Sequence, residues 1–373
     1  MTMFSLIKKF FQDFLTINKI NSAKPKIVFY SEGKSYQKYA YNLIKYFSKK
    51  FPGEVYYISS DRNDHIKELE ILNVYIKSNI LLQYLFLSLN ADNLFLTITD
   101  LNNSILKKNK NVKNYIYYFH GAVSTTKVFT EKAFDNYDTI LCNGDYHINE
   151  IRQRENIEGL NKKKLIKSGY LYFDYLNSRI ENSINNKSEV LIAPSWNKNT
   201  KNYINQDFQK IIKKLLEFNH KVRFRPHPET VKRFPKIMKI YNDLFKTQNF
   251  IFDNNPNNIE SMQNAKYLIT DNSGISIEFL LILKKPVFFY TDSKKIHNPK
   301  FKMYENLGTM EDIIRNKFGY KFNYDQISNI NNILRNSEEH FETCNIENFI
   351  NKNFYNYKNT IDFIDKNYSN ICI

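Results

Sequence analysis

Short apolar runs alternate with amphipathic stretches along the first half of the chain. Residues 26–31 and 55–58 are rich in β-branched and aromatic side chains, which is typical of buried strands. Between them, residues 36–49 have apolar positions at helical spacing, so these segments predict a βαβ unit. Similar runs predict further strands at residues 93–97, 114–119, 139–142 and 164–170.

The second half repeats this alternation. Strands are predicted at residues 189–193, 221–224, 250–252, 267–270 and 284–289, and helices at 204–219, 231–244, 258–264 and 310–316. Strict alternation of this kind favours a parallel sheet with helices on both faces. A last helical stretch at residues 346–367 is expected to cross back to the first half.

A polar run at residues 177–188 separates the two halves. We therefore predict an amphipathic N-terminal helix at residues 1–22, Rossmann-like domains at 23–180 and 188–345, and a C-terminal helical segment at 346–373. A length of 373 residues suits two such domains. The predicted fold class is α/β, with the two Rossmann-like domains facing a cleft.

The chain is strongly basic, with a formal net charge of +16 and a pI near 9.3. Such a surface favours polyanions: nucleic acid, anionic lipid or a phosphate-rich acceptor. The lysines are spread in short clusters, and the aromatic residues lie mainly in strand-like and helix-like runs. A nucleic-acid binder more often has a basic stripe with interleaved aromatic residues, so we do not expect nucleic acid as a partner.

The sequence lacks several motifs, and their absence argues against some kinds of site and of protein. Cys142, Cys344 and Cys372 lie far apart without a CxxC spacing, which excludes a cysteine-based zinc site and indicates a reducing compartment. No Asp-x-Asp follows a predicted strand, so no metal site is expected. The glycine-rich nucleotide motifs GxxxxGK[ST] and GxGxxG are also absent from the sequence. No secretion signal and no apolar run of about 18 residues is apparent, so we expect no membrane span.

Apolar residues near the N-terminus recur at helical spacing, with lysines between them. The apolar set is Met3, Phe4, Ile7, Phe10, Phe11, Phe14 and Leu15. This pattern predicts an amphipathic helix. Either the helix packs on the protein's own core, or residues 1–20 lie in the interface of an anionic membrane.

Polar side chains follow the predicted strand at residues 221–224. Pro226 and Pro228 stiffen the exit of that strand and aim Arg225 and His227 at one point. There they suit a diphosphate, and His227 is a candidate catalytic residue because a positioned donor stabilises the charge that develops on a leaving phosphate. The alternatives are a plain surface charge for Arg225 and a helix-capping or packing role for His227.

A second polar turn follows the predicted strand at residues 267–270. Thr270, Asp271, Asn272, Ser273 and Gly274 lead into a helix, whose first N–H groups favour phosphate. Asp271 and Asn272 are equally suited to capping that helix without a ligand.

A histidine lies at a strand end in the first half. His120 precedes Gly121, where the missing Cβ lets a ligand approach the backbone, and Ser124 and Lys127 follow with a hydroxyl and a charge. A neutral imidazole accepts the proton of an attacking hydroxyl at pH 7. His120 is thus the candidate general base, with Gly121, Ser124 and Lys127 at the acceptor. A buried structural histidine is the alternative.

Taken in order, these motifs resemble the CDP-glycerol glycerophosphotransferases that build teichoic acids and related surface polymers. The matching residues are Ala193-Pro194-Ser195-Trp196, Arg225 to Pro228, Thr270 to Gly274 with Glu278, and Lys285-Pro286, while Phe119-His120-Gly121 matches the family's histidine-glycine motif. The family usually has an aromatic residue and a second serine where this chain has Asn272 and Gly274.

The resemblance implies a GT-B architecture and a donor site. It assigns Glu278 to a ribose, with an exposed helix carboxylate as the alternative. The implied donor ligands are Ser195, Arg225, His227, Thr270, Asp271, Asn272, Ser273, Gly274 and Glu278.

The implied activity is transfer of a polyol phosphate, above all glycerol phosphate from CDP-glycerol, to a hydroxyl of a surface polymer or glycan. The expected partners are a CDP- or CMP-activated donor and an anionic polymer or glycan acceptor, with no cofactor and no metal. The expected location is cytoplasmic, at the inner face of the cytoplasmic membrane. Alternatives are a GT-B glycosyltransferase that uses a CMP-sugar or UDP-sugar in capsule or lipooligosaccharide synthesis, and a non-enzymatic basic protein that binds membrane surfaces or nucleic acid.

Overall fold

The computed structural model describes residues 3–180, 188–196, 201–292, 296–341 and 344–373. These residues form two compact units. Unit 1 comprises the described residues of Met1–His120, Phe129–Tyr175 and Asn353–Ile373, and unit 2 those of Gly121–Val128 and Leu176–Lys352. The core of the predicted boundary, residues 181–187, lies outside the described residues.

Unit 1 is built on a parallel sheet with flanking helices. Its strands are β1 (Ile27–Ser31), β2 (Val55–Ser59), β3 (Leu72–Tyr75), β4 (Ala91–Leu96), β5 (Val112–Tyr118), β6 (Thr139–Leu141) and β7 (Lys164–Ile166). The helices in this part of the chain are α1 (Met3–Ala23), α2 (Gln37–Lys50), α3 (Asn79–Ser88), α4 (Asp145–Glu158) and α5 (Leu171–Asn177). Strand β3 was not predicted; it is a short strand at the edge of the sheet, and its side chains are exposed or half-buried.

The strand order of this sheet is β3-β2-β1-β4-β5-β6-β7, and every pair is parallel. The direction of winding reverses between β1 and β4, and ligands of α/β sheets bind beyond the carboxyl ends of the strands at such a point. His120 follows β5, the neighbour of β4. Below it, the ring of Phe29 stacks on that of Phe95 at 4.7 Å between centroids, in a core that α2 covers.

Helix α1 combines two kinds of surface. Ile17 and Ile20 are buried, and the ring of Phe14 stacks on Tyr84 of α3 at 5.0 Å. Nearer the N-terminus, Phe11 is 61% exposed and Leu15 is 58% exposed. Phe14, Ile17 and Ile20 therefore pack within unit 1, while Phe11 and Leu15 present apolar side chains to solvent. Among the described residues, no helix is long and apolar enough to cross a membrane.

Unit 2 contains a second parallel sheet. Its strands are β8 (Glu189–Ile192), β9 (Lys221–Phe224), β10 (Phe250–Phe252), β11 (Ala265–Thr270), β12 (Val287–Tyr290) and β13 (Tyr320–Phe322), in the order β10-β9-β8-β11-β12-β13. The helices from α6 to α12 are α6 (Lys201–Glu217), α7 (Pro228–Arg233), α8 (Pro235–Leu244), α9 (Ile259–Asn264), α10 (Ile275–Leu281), α11 (Met310–Phe318) and α12 (Ile330–His340), with 3-10 helices at Phe301–Leu307 and Tyr324–Asn329. Strands β9, β8 and β11 are neighbours at the switch point.

Two predicted helices are interrupted. The single helix predicted at residues 231–244 is wrong, because Phe234 precedes Pro235 and has φ −130° and ψ 59°, outside the helical region. The helix predicted at 346–367 is also wrong as one element. It is α13 (Cys344–Asn353) and α14 (Thr360–Lys366), followed by α15 (Tyr368–Ile371). Positive φ angles at Asn356 and Lys358 end helical geometry between α13 and α14.

Candidate active-site residues

The predicted donor residues of unit 2 lie at the carboxyl ends of β8, β9 and β11. Ile192 pairs with Phe224 on one side and Ile269 on the other, so the residues after these strands are neighbours. The Arg225 N–H donates to the Ile192 carbonyl at 2.8 Å, and the Thr270 hydroxyl donates to the Ala193 carbonyl at 2.7 Å. Three sequence motifs, separated along the chain, therefore meet at one sheet edge.

Asp271 holds the loop that follows β8. Its Oδ1 accepts from the Ser195 N–H at 2.7 Å, and its Oδ2 accepts from the Ser195 hydroxyl at 2.8 Å. Asp271 is 1% exposed and Ser195 is fully buried. The Asp271 carboxylate thus fixes both the backbone and the side chain of Ser195 at the edge of the sheet.

The turn from Asn272 to Gly274 is tied to two helices. Asn272 Oδ1 accepts from Arg315 Nη2 of α11 at 2.6 Å, and the Ser273 carbonyl accepts from the Ser276 hydroxyl of α10 at 2.7 Å. Gly274 has right-handed helical angles, so its backbone conformation does not require glycine. Glu278 of α10 is 3% exposed, which excludes the exposed-carboxylate alternative.

Arg225 forms a buried ion pair beneath this edge. Its Nη1 lies 3.0 Å from Asp253 Oδ2, and its Nη2 donates to the Asn255 carbonyl at 2.6 Å. Burial by itself raises the pKa of Asp253, but Arg225 and a hydrogen bond from Ser261 outweigh burial and hold that pKa below its usual value. Arg225 is 9% exposed, so it is not a plain surface charge, and it anchors the loop after β10.

His227 caps helix α7. Its Nδ1 accepts from the Glu229 N–H at 3.2 Å, and Pro228 occupies the first turn. An imidazole whose Nδ1 accepts a hydrogen bond carries its proton on Nε2 in the neutral form. The capping role raised as an alternative is therefore present, and the same geometry fixes His227 as an Nε2–H donor.

His120 lies in unit 1 among aromatic rings. The edge contacts from its ring centroid are 5.4 Å to Tyr36, 6.1 Å to Tyr39 and 6.1 Å to Phe129. The tyrosines belong to the stretch at the start of α2, and Phe129 lies where the chain returns to unit 1. These rings fix the plane of the imidazole at the carboxyl end of β5.

The segment Gly121–Val128 belongs to unit 2, although the sequence placed it in the first domain. The Ser124 hydroxyl accepts from the Met310 N–H at 2.7 Å, and the Ser124 N–H donates to Glu311 Oε2 at 2.9 Å. Lys127 Nζ lies 2.7 Å from Asp312 Oδ2. Two of the three predicted acceptor residues thus bind the first turn of α11.

Sequence reasoning missed Glu311, Asp312 and Arg315. Burial raises the pKa of Glu311. For Asp312, burial alone acts in the same direction, but hydrogen bonds from Lys127 and Thr309 outweigh it and hold the pKa below its usual value. The only signal in the sequence was Thr309, an N-cap residue before acidic residues, which predicts a helix start and not a role at the site.

Within the described ranges, no group of three or more His, Cys, Asp and Glu side chains is arranged to hold a metal ion. The polar groups at the carboxyl edge of the unit 2 sheet are instead Ser195, Asp271, Asn272 and Ser273, together with His227.

Comparison with known proteins gives one family match. The model of the family described as CDP-glycerol:poly(glycerophosphate) glycerophosphotransferase matches residues 14–359. A search of curated protein sequences finds no match to this chain.

Solved structures share the fold. The wall teichoic acid polymerase TagF, in crystals soaked with CDPG, superposes with a TM-score of 0.60 at 16% identity, covering 100% of this chain and 98% of that chain. The UDP-GlcNAc 2-epimerase from Neisseria meningitidis bound to UDP-GlcNAc has a TM-score of 0.60 at 12% identity, covering 92% and 100%. The S. aureus MnaA complex with UDP has a TM-score of 0.57 at 11% identity, covering 93% and 97%. The α/β fold with two parallel sheets, predicted as GT-B, is confirmed.

Proposed function

The chain belongs to the CDP-glycerol:poly(glycerophosphate) glycerophosphotransferase family, and from this premise we propose that it moves glycerol phosphate from CDP-glycerol to a hydroxyl of an anionic surface polymer. The observation that carries the donor assignment is the Asp271–Ser195 pair at the carboxyl ends of β11 and β8, with His227 following the adjacent parallel strand β9. Ligands of doubly wound sheets bind at such edges.

The donor diphosphate is held by hydrogen-bond donors. Ser273 and the Gly274 N–H meet the phosphates at the turn before α10, and His227 Nε2–H donates to a phosphate oxygen. Thr270 and Asp271 act by fixing Ser195 and its loop, since their side-chain oxygens are bonded to that loop. Glu278 binds the ribose, and Arg225 positions the loop after β10 through Asp253.

The reaction is a displacement at phosphorus. The acceptor hydroxyl oxygen attacks the β-phosphorus of CDP-glycerol and forms the new phosphodiester. The bond from that phosphorus to the bridging oxygen breaks, and CMP leaves with its electron pair. His120 accepts the proton of the attacking hydroxyl, and His227 stabilises the charge that develops on CMP.

Of the three residues predicted at the acceptor, two take a different role. Gly121 stays a candidate for close approach of the acceptor to the backbone. Ser124 and Lys127 hold their segment on α11, because their polar atoms are bonded there. The enzyme acts at the cytoplasmic face of a membrane, where the exposed apolar side chains of α1 enter the interface and the net charge of +16 attracts anionic lipid.

Calorimetry with CDP-glycerol tests the donor assignment. We expect binding with and without EDTA, because hydrogen-bond donors, including His227, hold the diphosphate where a metal-dependent transferase uses a metal ion bound by carboxylates. CDP-ribitol, CMP, UDP and a UDP-sugar are the competing ligands. Loss of binding in EDTA, or tighter binding of the UDP-sugar than of CDP-glycerol, contradicts the proposal. The variant Ser273→Ala weakens binding, whereas Arg335→Met, at an exposed position of α12, does not.

A further inference from the structure

Helix α11 contacts both the turn after β11, through Arg315, and the segment that follows His120, through its first turn. We call the turn Asp271–Gly274 the donor turn and the segment Gly121–Val128 the histidine segment; both belong to unit 2. The two are far apart in sequence, and α11 is distant in sequence from each of them. A helix that contacts both is in a position to fix one relative to the other.

On the side of the histidine segment, contacts to backbone and side chain are dense. Ser124 exchanges hydrogen bonds with Met310 and Glu311 at 2.7 and 2.9 Å. The Asn298 side-chain amide donates to the Thr126 carbonyl at 2.8 Å, and the His297 N–H donates to the Lys127 carbonyl at 2.9 Å. Ser124 is fully buried. The segment is therefore held along its length by residues of unit 2.

Asp312 is the shared group. Its Oδ2 lies 2.7 Å from Lys127 Nζ and accepts from the Thr309 hydroxyl at 2.6 Å, while its Oδ1 accepts from Arg315 Nη1 at 3.2 Å. One carboxylate thus joins a cation of the histidine segment to a cation of α11. Removal of either cation leaves a partly buried charge with fewer partners, which is costly.

Arg315 completes the connection to the donor turn. Its Nη2 donates to Asn272 Oδ1 at 2.6 Å, and its guanidinium carbon lies 5.1 Å from the ring centroid of Phe289. The planar fork of arginine reaches Asn272 and Asp312 at once, which a lysine ammonium on a flexible stem does not reproduce.

We propose that the series of contacts Asn272–Arg315–Asp312–Lys127 is a positioning relay, in which Arg315 and Asp312 hold the donor turn and the histidine segment in one fixed arrangement. The relay rests on the proposed function for its catalytic meaning, since His120 is covalently next to Gly121. Arg315 and Asp312 are positioning residues: they act through Asn272 and through the segment that follows His120.

Hydrogen exchange of the unliganded protein, followed by mass spectrometry, tests the relay without any substrate. Lys127→Met removes a contact of the histidine segment alone. We expect exchange to become about tenfold faster not only in that segment but also in peptides that contain the donor turn and the Ser276 and Ile277 amides. Asn272→Ala removes a contact of the donor turn alone, and peptides that contain the Ser124 amide are expected to exchange faster by a similar factor. Arg335→Met is the matched control and changes neither peptide.

Faster exchange confined to the segment that carries each substitution overturns the relay. If Arg315→Met unfolds unit 2, the milder pair Lys127→Met and Asn272→Ala decides the question. In steady-state assays, Arg315→Lys is expected to raise KM for CDP-glycerol about tenfold and to lower kcat as well, whereas a role confined to the donor turn changes KM alone. If the wild type does not turn over CDP-glycerol, the proposed function fails, and the exchange experiment still decides the relay.

Discussion

At the scale of single residues, the sequence identified side chains but not their partners. Asp271 and Ser195 were both predicted as donor ligands, and the structure joins them by two hydrogen bonds. Arg225 was predicted to aim at a phosphate, yet it pairs with Asp253, which lies after a different strand. Such pairs depend on the order of strands in the sheet, and a single sequence does not contain that order.

The Asp271–Ser195 pair predicts a measurable cost for Asp271→Asn. An asparagine offers only one acceptor oxygen, so either the Ser195 N–H or its hydroxyl loses a buried partner. We expect the free energy of unfolding of unit 2 to fall by about 1 to 3 kcal/mol and donor affinity to fall with it. Urea denaturation measures the first and calorimetry the second. Asp243→Asn, at an exposed carboxylate of α8, serves as the control, and equal stability of the two variants contradicts the assignment.

Asp174 predicts a dependence of stability on pH. Burial raises the pKa of Asp174 to about 6, although its Oδ2 accepts from the Thr360 N–H at 2.8 Å. A raised carboxyl pKa favours the folded state below the unfolded pKa, and that advantage is lost as pH rises through about 6. Asp174→Asn keeps the acceptor and is not ionised. The free energy of unfolding of this variant is expected to match that of the wild type near pH 4 and to exceed it by about 1 to 2 kcal/mol at pH 7.5. Thermal melts across this range measure the difference, and a difference that does not change with pH contradicts the prediction.

At the scale of elements, most strands and helices follow from apolar periodicity, and the failures have local causes. The prolines and the positive φ angles that interrupt α7–α8 and α13–α14 occur within otherwise helical patterns. The apolar stripe of α1 gave two interpretations: packing on the core holds for the buried positions, and contact with a membrane stays a prediction. Ile17 and Ile20 are buried, whereas Phe11 and Leu15 are exposed. Periodicity reveals an apolar face but not what covers each turn of it.

The exposed and the buried positions of α1 are expected to respond differently to substitution. Phe11→Glu combined with Leu15→Glu removes apolar area and adds negative charge at exposed positions, so it is expected to abolish sedimentation with anionic liposomes while leaving the melting temperature unchanged. Ile17→Ala creates a cavity and is expected to cost about 2 to 5 kcal/mol.

Phe218→Glu, at a 47% exposed position after α6, is the matched control for added charge and is expected to retain liposome binding. Liposome binding that survives the double substitution in α1, or that is lost equally in Phe218→Glu, contradicts the membrane assignment.

At the scale of the whole molecule, alternation of strands and helices predicted two parallel sheets, and the resemblance predicted the family. Both are confirmed. The membership of Gly121–Val128 in unit 2 was not predictable, because the segment carries no strand or helix pattern and its partners in α11 lie far along the chain. Family membership confirms a transferase with a nucleotide-linked donor, while the roles of His120 and His227 remain predictions.

The most direct measurement uses CDP-glycerol that is labelled in its glycerol and incubated with a poly(glycerol phosphate) primer. It follows the two products together, released CMP and glycerol phosphate in the polymer. The account predicts that each CMP released is matched by one labelled glycerol phosphate in the polymer, with EDTA present. His120→Ala is expected to lower this rate by about 10² to 10⁴ without loss of donor binding. Release of CMP without label in the polymer, or an undiminished rate in His120→Ala, contradicts the account.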